Sequence, residues 1–374
     1  MVNARTISIG RRLVGDSQPC FVIAEGGVNH NGNPHLAQEL VRIAAHCQAD
    51  AVKFQKRTIH ELLTRAALDK PYVNANSLGA TYGEHRLRLE LAESEWYRLR
   101  DLATGLGLEF MGSAWDRGSA DLLDALDTPA IKTPSAVLTD LDLLEYIARK
   151  GRPMIVSTGM STLEEVDQAV ERIVRHTQQL ILLQCTSAYP SEFADINLRV
   201  MDTLGQRYGV LVGYSGHERG IAVSAAAAAL GACVVERHFT KDRTLPGPDH
   251  AASLEPVGLQ KLVRDIRHIE AAMGSPDKRV ADSELSVRVR LGKSVVAARH
   301  IPAGTILTAE MLTAKSPGDG ISANHLAELI GRVASAEVLA DTLLPADALS
   351  WQFCRSASRP TSKKTSHDGV ASRA

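Results

Sequence analysis

The chain has almost no net charge: 42 Lys and Arg face 43 Asp and Glu across 374 residues, leaving −1. With an isoelectric point near 6.9 it presents no broad basic field, which excludes nucleic acid and anionic membrane as expected partners. Long apolar runs are missing too. The longest, AVSAAAAALGACVV from Ala222, is too short to span a bilayer at helical rise and divides better into a helix, a Gly231 turn and a strand. None of the cysteines (Cys20, Cys47, Cys185, Cys233, Cys354) falls in a CxxC spacing, and most sit in apolar surroundings as small buried hydrophobes. That argues against a disulfide framework and for a reducing compartment. The opening MVNARTISIGRRLVG lacks the apolar core of an export signal. A soluble, cytoplasmic protein is expected.

The chain exceeds the size at which one hydrophobic core stops growing, so two domains are expected. From Cys20 to about Met273, short runs suited to buried parallel strands alternate with segments of helical period. The strand candidates are CFVIAE, AVKFQ, LEFMGS, AIKT, PMIVST, LILLQCT, GVLVGYS and CVVERH. Eight is the number that closes a TIM barrel, so residues 1–273 are read as an α/β (β/α)8 barrel domain. Ser161 with Glu164 reads as a capping box, and Gly107, Gly151 and Gly231 read as helix stops. The stretch from Lys56 to Leu91 is too long and polar for an ordinary connection and is expected to cover or border the site. Residues 274–285 read as a linker and 286–351 as a compact β-rich module, marginal alone. Residues 352–374, nearly free of apolar side chains, read as a disordered tail.

His217 and His238 each close a short apolar run, GVLVGYSGH and ACVVERHF. On consecutive parallel strands of one barrel, both imidazoles emerge at the same rim and make a metal site. Active sites of such barrels lie at the carboxyl ends of the strands. There the sequence offers Glu25, Lys53 and Gln55, Ser113, Lys132 and Ser135, Ser157 and Thr158, Ser187 and Tyr189, Ser215, and, beyond the last strand, Asp249. Two lysines with a ring of hydroxyls suit a compact polyanion, a phosphate or carboxylate, because lysine acts as a point charge while serines donate directional hydrogen bonds. A lysine in a barrel mouth is seldom merely solvated. The serines could instead satisfy turns, Glu25 could be an ordinary partner of Lys53, and His30 and His250 are ambiguous neighbours.

Taken in order, EGGVNHNG, VKFQ, KTPS, VSTGM, QCTSAYP, GYSGH, VERHFT and PGPDH resemble the sialic acid synthases, which condense phosphoenolpyruvate with an N-acetylated aldose to make a nonulosonic acid. The likeness runs from about Phe21 to Trp351 and includes an antifreeze-like (SAF, β-clip) module beginning RLGKSVVAARHIPAGTILT. It implies that His217 and His238 ligate a divalent metal, expected to be manganese, with magnesium or cobalt as alternatives. By the same resemblance Lys53, Ser113, Lys132, Ser135, Ser157, Ser187 and Ser215 bind phosphoenolpyruvate, while Gln55, Tyr189 and Asp249 line the acceptor side. Glu25 falls at a catalytic carboxylate, expected to orient or deprotonate the attacking water, and the lysines balance the departing phosphate. A domain-swapped homodimer is implied, the small module of one chain capping the barrel of the other.

Two departures stand out. Where the family continues its strand-four motif to a carboxylate, this chain has Val137 in KTPSAV, with Asp140 as a possible substitute. Where the module often carries an arginine before a Pro-Gly turn, this chain has Ser316, with Lys315 beside it, and a serine lacks the planar fork of a guanidinium. Both fall on the acceptor side, implying the same donor with an altered acceptor aldehyde. A synthase acting on another sugar or aldehyde, and a catalytically impaired binding or regulatory member, are the alternatives.

Overall fold

The structure is a computed structural model that describes residues 5–74 and 76–354. It divides after Gly274 into two compact units. In the first, a short antiparallel hairpin, β1 (Thr6–Ile9) and β2 (Arg12–Gly15), precedes eight strands: β3 (Phe21–Gly27), β4 (Ala51–Lys56), β5 (Glu109–Ala114), β6 (Ile131–Thr133), β7 (Met154–Ser157), β8 (Leu180–Cys185), β9 (Leu211–Gly216) and β10 (Val234–His238). These pair in parallel, each with its neighbour in sequence, and β10 closes on β3. The fold is a TIM barrel with a helix after most strands. All eight strands coincide with the apolar runs read from the sequence.

Successive strand residues face opposite sides of the sheet, and each barrel strand uses both. Val22, Val52, Phe110, Ile131, Val156, Leu182 and Val235 point outward and pack with the helices in one buried cluster. Ile23, Ala51, Met111, Ile155, Ile181, Leu183 and Val234 point inward and fill the lower half of the barrel. The hairpin supplies Ile7, Ile9 and Val14 to this inner cluster and so plugs the bottom. The sequence reading missed the hairpin, because each four-residue strand is too short to show its period. Above the apolar layers the same inward parity turns polar, and those positions form the site.

The capping box expected at Ser161 and Glu164 lies one residue on. Thr162 accepts from Glu165 N and Glu165 Oε2 accepts from Thr162 N, at the start of the helix Leu163–Val174. Gly107, Gly151 and Gly231 all adopt positive φ after a helix.

The second unit has its own core, built from residues such as Val295, Ala297, Ile301, Leu307, Leu329, Val338, Leu344 and Trp351. It holds one antiparallel pair, β11 (Ser294–Ala297) and β12 (Leu312–Lys315), plus isolated bridges. Its opening differs from expectation: Leu285–Leu291 is a helix with exposed Leu285, Val287, Val289 and Leu291. Residues 352–354, assigned to the tail above, belong to the module, because Phe353 pairs with Arg332 and lies under its guanidinium. The rest of the expected tail lies outside the described residues. Lys315 pairs with Asp341, and the Ser316 hydroxyl donates to the Leu291 carbonyl.

Candidate active site

The inward positions at the carboxyl ends of the strands converge on a first cavity of about 170 Å³, lined by Lys53, Gln55, Ser113, Lys132, Ser135, Ser157, Cys185, Ser187, Tyr189, Ser215, His217, Glu236 and His238, with Trp115 and Met160 among the rest. Register brings the groups together. Lys53 sits opposite Glu25, Lys132 opposite Ser113, Ser215 opposite Glu236, and Glu25 opposite His238. Lys53 Nζ donates to Ser113 Oγ at 2.7 Å and pairs with Glu25. Lys132 Nζ donates to Ser157 Oγ at 2.7 Å and to the Thr133 carbonyl at 3.0 Å. Gly159 N donates to Ser135 Oγ at 3.0 Å. Two ammonium groups, each shared with a hydroxyl, thus face one small volume.

Between the lysines stands Glu236, its Oε1 3.5 Å from Lys53 Nζ and 3.9 Å from Lys132 Nζ, accepting from Ser215 Oγ at 3.4 Å. Its Oε2 is buried and has no hydrogen-bond partner. Burial would raise this carboxyl, but Lys132 and Lys53 outweigh it and hold the group below its ordinary range, as a carboxylate. Burial acts on Lys53 in the other sense, pulling its ammonium down to about 7 against the attraction of Glu236. Glu25 is fully buried, accepts from Gly27 N and does not line the cavity. It stands behind Lys53, and Glu236 is the carboxylate that reaches the open volume.

His217 and His238 do share the rim, their ring centroids 5.5 Å apart, with the Tyr189 ring 4.1 Å from His217 and 5.9 Å from His238. The Thr186 carbonyl lies 2.8 Å from His217 Nδ1, which sets Nδ1 as the donor, so that in the neutral ring Nε2 carries the lone pair. Burial, with His217 and Lys53 nearby, drives His238 well below the ordinary histidine value, so it is neutral. Its buried Nδ1 has no hydrogen-bond partner, with Asp249 Oδ2 3.7 Å away. Gly27 makes this approach possible: at φ +53°, a Cβ there would meet His238 Cε1 at 3.0 Å and Asp249 Oδ2 at 3.2 Å. Among the described residues no group of three or more His, Cys, Asp or Glu side chains is disposed to hold a metal ion. The donor set is the two neutral-capable imidazoles at the ends of adjoining strands. It fits an ion that takes few protein ligands and keeps open positions.

A second cavity adjoins the first and shares Gln55, Trp115 and Tyr189 with it. It is walled further by Arg57, Tyr72, Tyr82, His85, Arg86 and Asp249. Five of these come from the Lys56–Leu91 segment, which therefore borders the site as expected. A third cavity shares Arg57, Arg86 and Trp115 with the second and adds Ile59, Leu62, Leu63, Val137 and Asp140. Val137 is buried, and Asp140 spends its Oδ1 on Leu143 N as the cap of the helix Leu141–Ala148. His30 and His250 line none of these cavities; His30 Nδ1 accepts from Gly32 N, and His250 Nδ1 meets the Thr240 hydroxyl.

Comparison with known proteins decides what this arrangement belongs to. A model described as the NeuB family matches residues 40–278, and a SAF domain matches residues 292–350. The chain belongs to the NeuB family. The human N-acetylneuraminate-9-phosphate synthase is 44% identical over 81% of this chain and 85% of its own length. The N,N'-diacetyllegionaminic acid synthase of Legionella pneumophila is 40% identical over 88% and 94%. Among solved structures, the N-acetylneuraminic acid (sialic acid) synthetase of Leptospira borgpetersenii, in complex with citrate, matches with a TM-score of 0.67 at 30% identity, covering 76% of this chain and 95% of that one. This NeuB member is accordingly an enzyme, a phosphoenolpyruvate-dependent transferase that forms a carbon–carbon bond. Among the described residues no helix is long and apolar enough to cross a membrane.

Three groups of the NeuB site escaped the sequence reading. Glu236 lies two residues before His238 and shares its inward parity, a signal present in VERH. Cys185, read above as one of several small buried hydrophobes, faces the first cavity, its Sγ 3.9 Å from His217 Nδ1. Burial would raise that thiol, but His217, Ser135 and Lys132 bring it down to about 7. The cysteine ends β8 at the parity of Leu183 and Ile181, so it too was legible. The third group, Arg57 and Arg86, depends on how the long segment folds back, and no period in the sequence carries that.

Proposed function

We propose that this enzyme condenses phosphoenolpyruvate with an N-acylated aldose, in a reaction that depends on a divalent metal, to give a nonulosonic acid and phosphate. The observation that carries the reading is the pair of buried lysines, each shared with a serine and separated by Glu236, in a cavity whose rim holds the two histidines. Lys53 and Lys132 supply the charge and Ser113, Ser135, Ser157, Ser187 and Ser215 the directional contacts for the phosphate and carboxylate of the donor. Gln55, Tyr189 and Asp249, on the shared wall and beyond it, face the acceptor.

The third carbon of the enol attacks the aldehyde carbon. A carbon–carbon bond forms, the aldehyde oxygen takes a proton, and positive charge is left at the second carbon. Water adds there and loses a proton, for which the unpartnered Glu236 Oε2 is the placed acceptor. Phosphate then departs with the electron pair of its carbon–oxygen bond and carries away the proton of the new hydroxyl, leaving the ketone, while the lysines hold the leaving charge. Glu25 acts through Lys53 by fixing its ammonium. His217 and His238 would hold the ion, manganese being the expected one, and the chemistry it supplies there is Lewis acidity toward the aldehyde oxygen. The reading extends to a cytoplasmic homodimer whose small module caps the partner's barrel; its support is the SAF match and the exposed Leu285, Val287, Val289 and Leu291 of the helix Leu285–Leu291.

The test is phosphate release from phosphoenolpyruvate with manganese across a panel of N-acylated aldoses. Release dependent on both the aldose and the ion is expected; donor binding without release for every aldose would overturn the reading. Relatives at 44% and 40% identity differ in whether their product's name carries a phosphate, so likeness alone does not choose the acceptor.

A further inference from the structure

The ladder between β9 and β10 stops at Gly216 and Arg237, one residue short of both histidines. The sheet itself therefore leaves the spacing of His217 from His238 unset. On the β8 side His217 is held by its neighbours: Ser191 N donates to its carbonyl at 3.1 Å, and the Thr186 carbonyl takes Nδ1. On the β10 side the tie is made by side chains. Glu218 follows His217 in the chain, and Arg237 precedes His238 at the outward parity of Val235. Each is 1% exposed, and neither lines the first or second cavity.

Their contacts cross the gap between the strand ends. Arg237 Nη2 donates to the Glu218 carbonyl at 2.6 Å, and Nη1 donates to Glu218 Oε1 at 2.6 Å while also reaching Ser224 Oγ and the Gly220 carbonyl. Ser224 Oγ donates to Glu218 Oε1 at 2.9 Å, and the Tyr214 hydroxyl donates to Oε2 at 2.8 Å. Only Arg237 Nε is left buried without a partner. Gly216 makes the room, since a Cβ there would meet Glu218 Oε2 at 2.5 Å and Arg237 Cδ at 3.0 Å.

As a source of stability such a pair is a poor device. Withdrawing both charges from water offsets most of their attraction, and apolar side chains of similar volume stabilise as well or better. What the pair adds is geometry. A planar fork that grips both the carboxylate and the backbone carbonyl of Glu218 fixes that residue, and with it the adjoining His217, against the strand that carries His238. Ligand distances in a metal site hold to about 0.2 Å, so the separation of two imidazoles decides how well they serve one ion. Resting on the synthase reading above, we infer that Glu218 and Arg237 are positioning residues for the metal: their ion pair sets the separation of His217 and His238, and thereby the affinity of the site.

The full chain is titrated with manganese alone, the free ion being followed by electron paramagnetic resonance, and its cobalt form is read by visible absorption. Arg237→Lys keeps the charge but loses the fork, so manganese affinity should fall by ~10-fold or more and the cobalt spectrum should change. In the double variant Glu218→Leu, Arg237→Met no buried charge is left unpaired. Its urea unfolding should match that of the parent while its manganese affinity falls as in Arg237→Lys. Tyr214→Phe, which removes one hydrogen bond to Glu218, should lower affinity by ~3-fold. The KM for phosphoenolpyruvate at saturating manganese should move less, because Lys53 and Lys132 stand on β4 and β6. Parental affinity and spectrum in Arg237→Lys and the double variant overturn the inference and leave the synthase standing, as does affinity that falls only in step with urea stability. Where those two variants fail to fold, parental affinity in Tyr214→Phe overturns it. An unaltered chain that binds no manganese overturns the metal site and the inference together; one that binds it but releases no phosphate with any aldose overturns the synthase reading.

Discussion

The donor cavity and the acceptor cavity share Gln55, Trp115 and Tyr189, yet different parts of the chain build them. Donor groups come from the inward positions of the barrel strands and the turns just beyond them, and the lysines are already engaged: Lys53 by Ser113 and Glu25, Lys132 by Ser157 and a carbonyl. The groups of the second cavity come chiefly from the long segment after β4, where Arg57 keeps Nε and Nη1 buried without a hydrogen-bond partner. A closed barrel fixes strand ends by register, which suits them, on the proposed reading, to hold the phosphoenolpyruvate donor. A connecting segment can change without disturbing that register, and on the proposed reading it is the part that would select the acceptor.

The sharpest way to break this comparison is at the rim, where the two cavities meet. His217→Ala should remove one of two imidazole ligands and lower phosphate release on the order of 10³-fold. Bound manganese, measured on the dialysed protein, should fall with it. Retained metal with retained turnover would detach the histidine pair from the chemistry.

The two buried carboxylates beside Lys53 give the next test. Glu236 has an idle oxygen in the cavity, so Glu236→Gln should cost turnover by about 100-fold, with the fold preserved. Glu25 lies behind the lysine, so Glu25→Gln should appear first as lost stability, about 3 kcal/mol in urea unfolding, because it leaves a buried ammonium short of its partner. A stable Glu25→Gln protein without phosphate release would return the catalytic role to Glu25.

These two carboxylates also show what was legible in the sequence. The barrel could be read because each strand is an apolar run closed by a polar residue, and the cavity groups because Lys53, Ser113, Lys132, Ser157, Ser215 and the two rim histidines stand at those closures. Telling Glu25 from Glu236 needed the folded placement, one paired with Lys53 away from the cavity and the other lining it, which strand spacing does not contain. Cys185 was passed over because its chemistry depends on His217, a neighbour 32 residues away. Arg57 and Arg86 are brought together only by the fold of a segment that has no period to read.

A finer probe of the donor side is Ser157→Ala. It removes the hydroxyl that holds Lys132 at 2.7 Å, and kcat/KM for phosphoenolpyruvate should fall by about 10-fold through a higher KM. The KM for the acceptor sugar should move less. If both KM values rise together, the two cavities are one site energetically and the division drawn above is wrong.

The smallest expected effect concerns how the donor corner is anchored. The turn that carries Thr158 and Gly159 runs into the helix Leu163–Val174, whose first turn is closed by Thr162 and Glu165. Thr162→Ala should cost about 1 kcal/mol, since it leaves an N–H of the first turn without an acceptor. Ser161→Ala should change stability by less than about 0.5 kcal/mol, because the Ser161 hydroxyl only donates to the Gly159 carbonyl, at 3.3 Å. Thermal unfolding of the two variants separates these outcomes. A larger loss at Ser161 would move the cap back one residue and loosen the link between the helix start and Gly159, whose N–H positions Ser135.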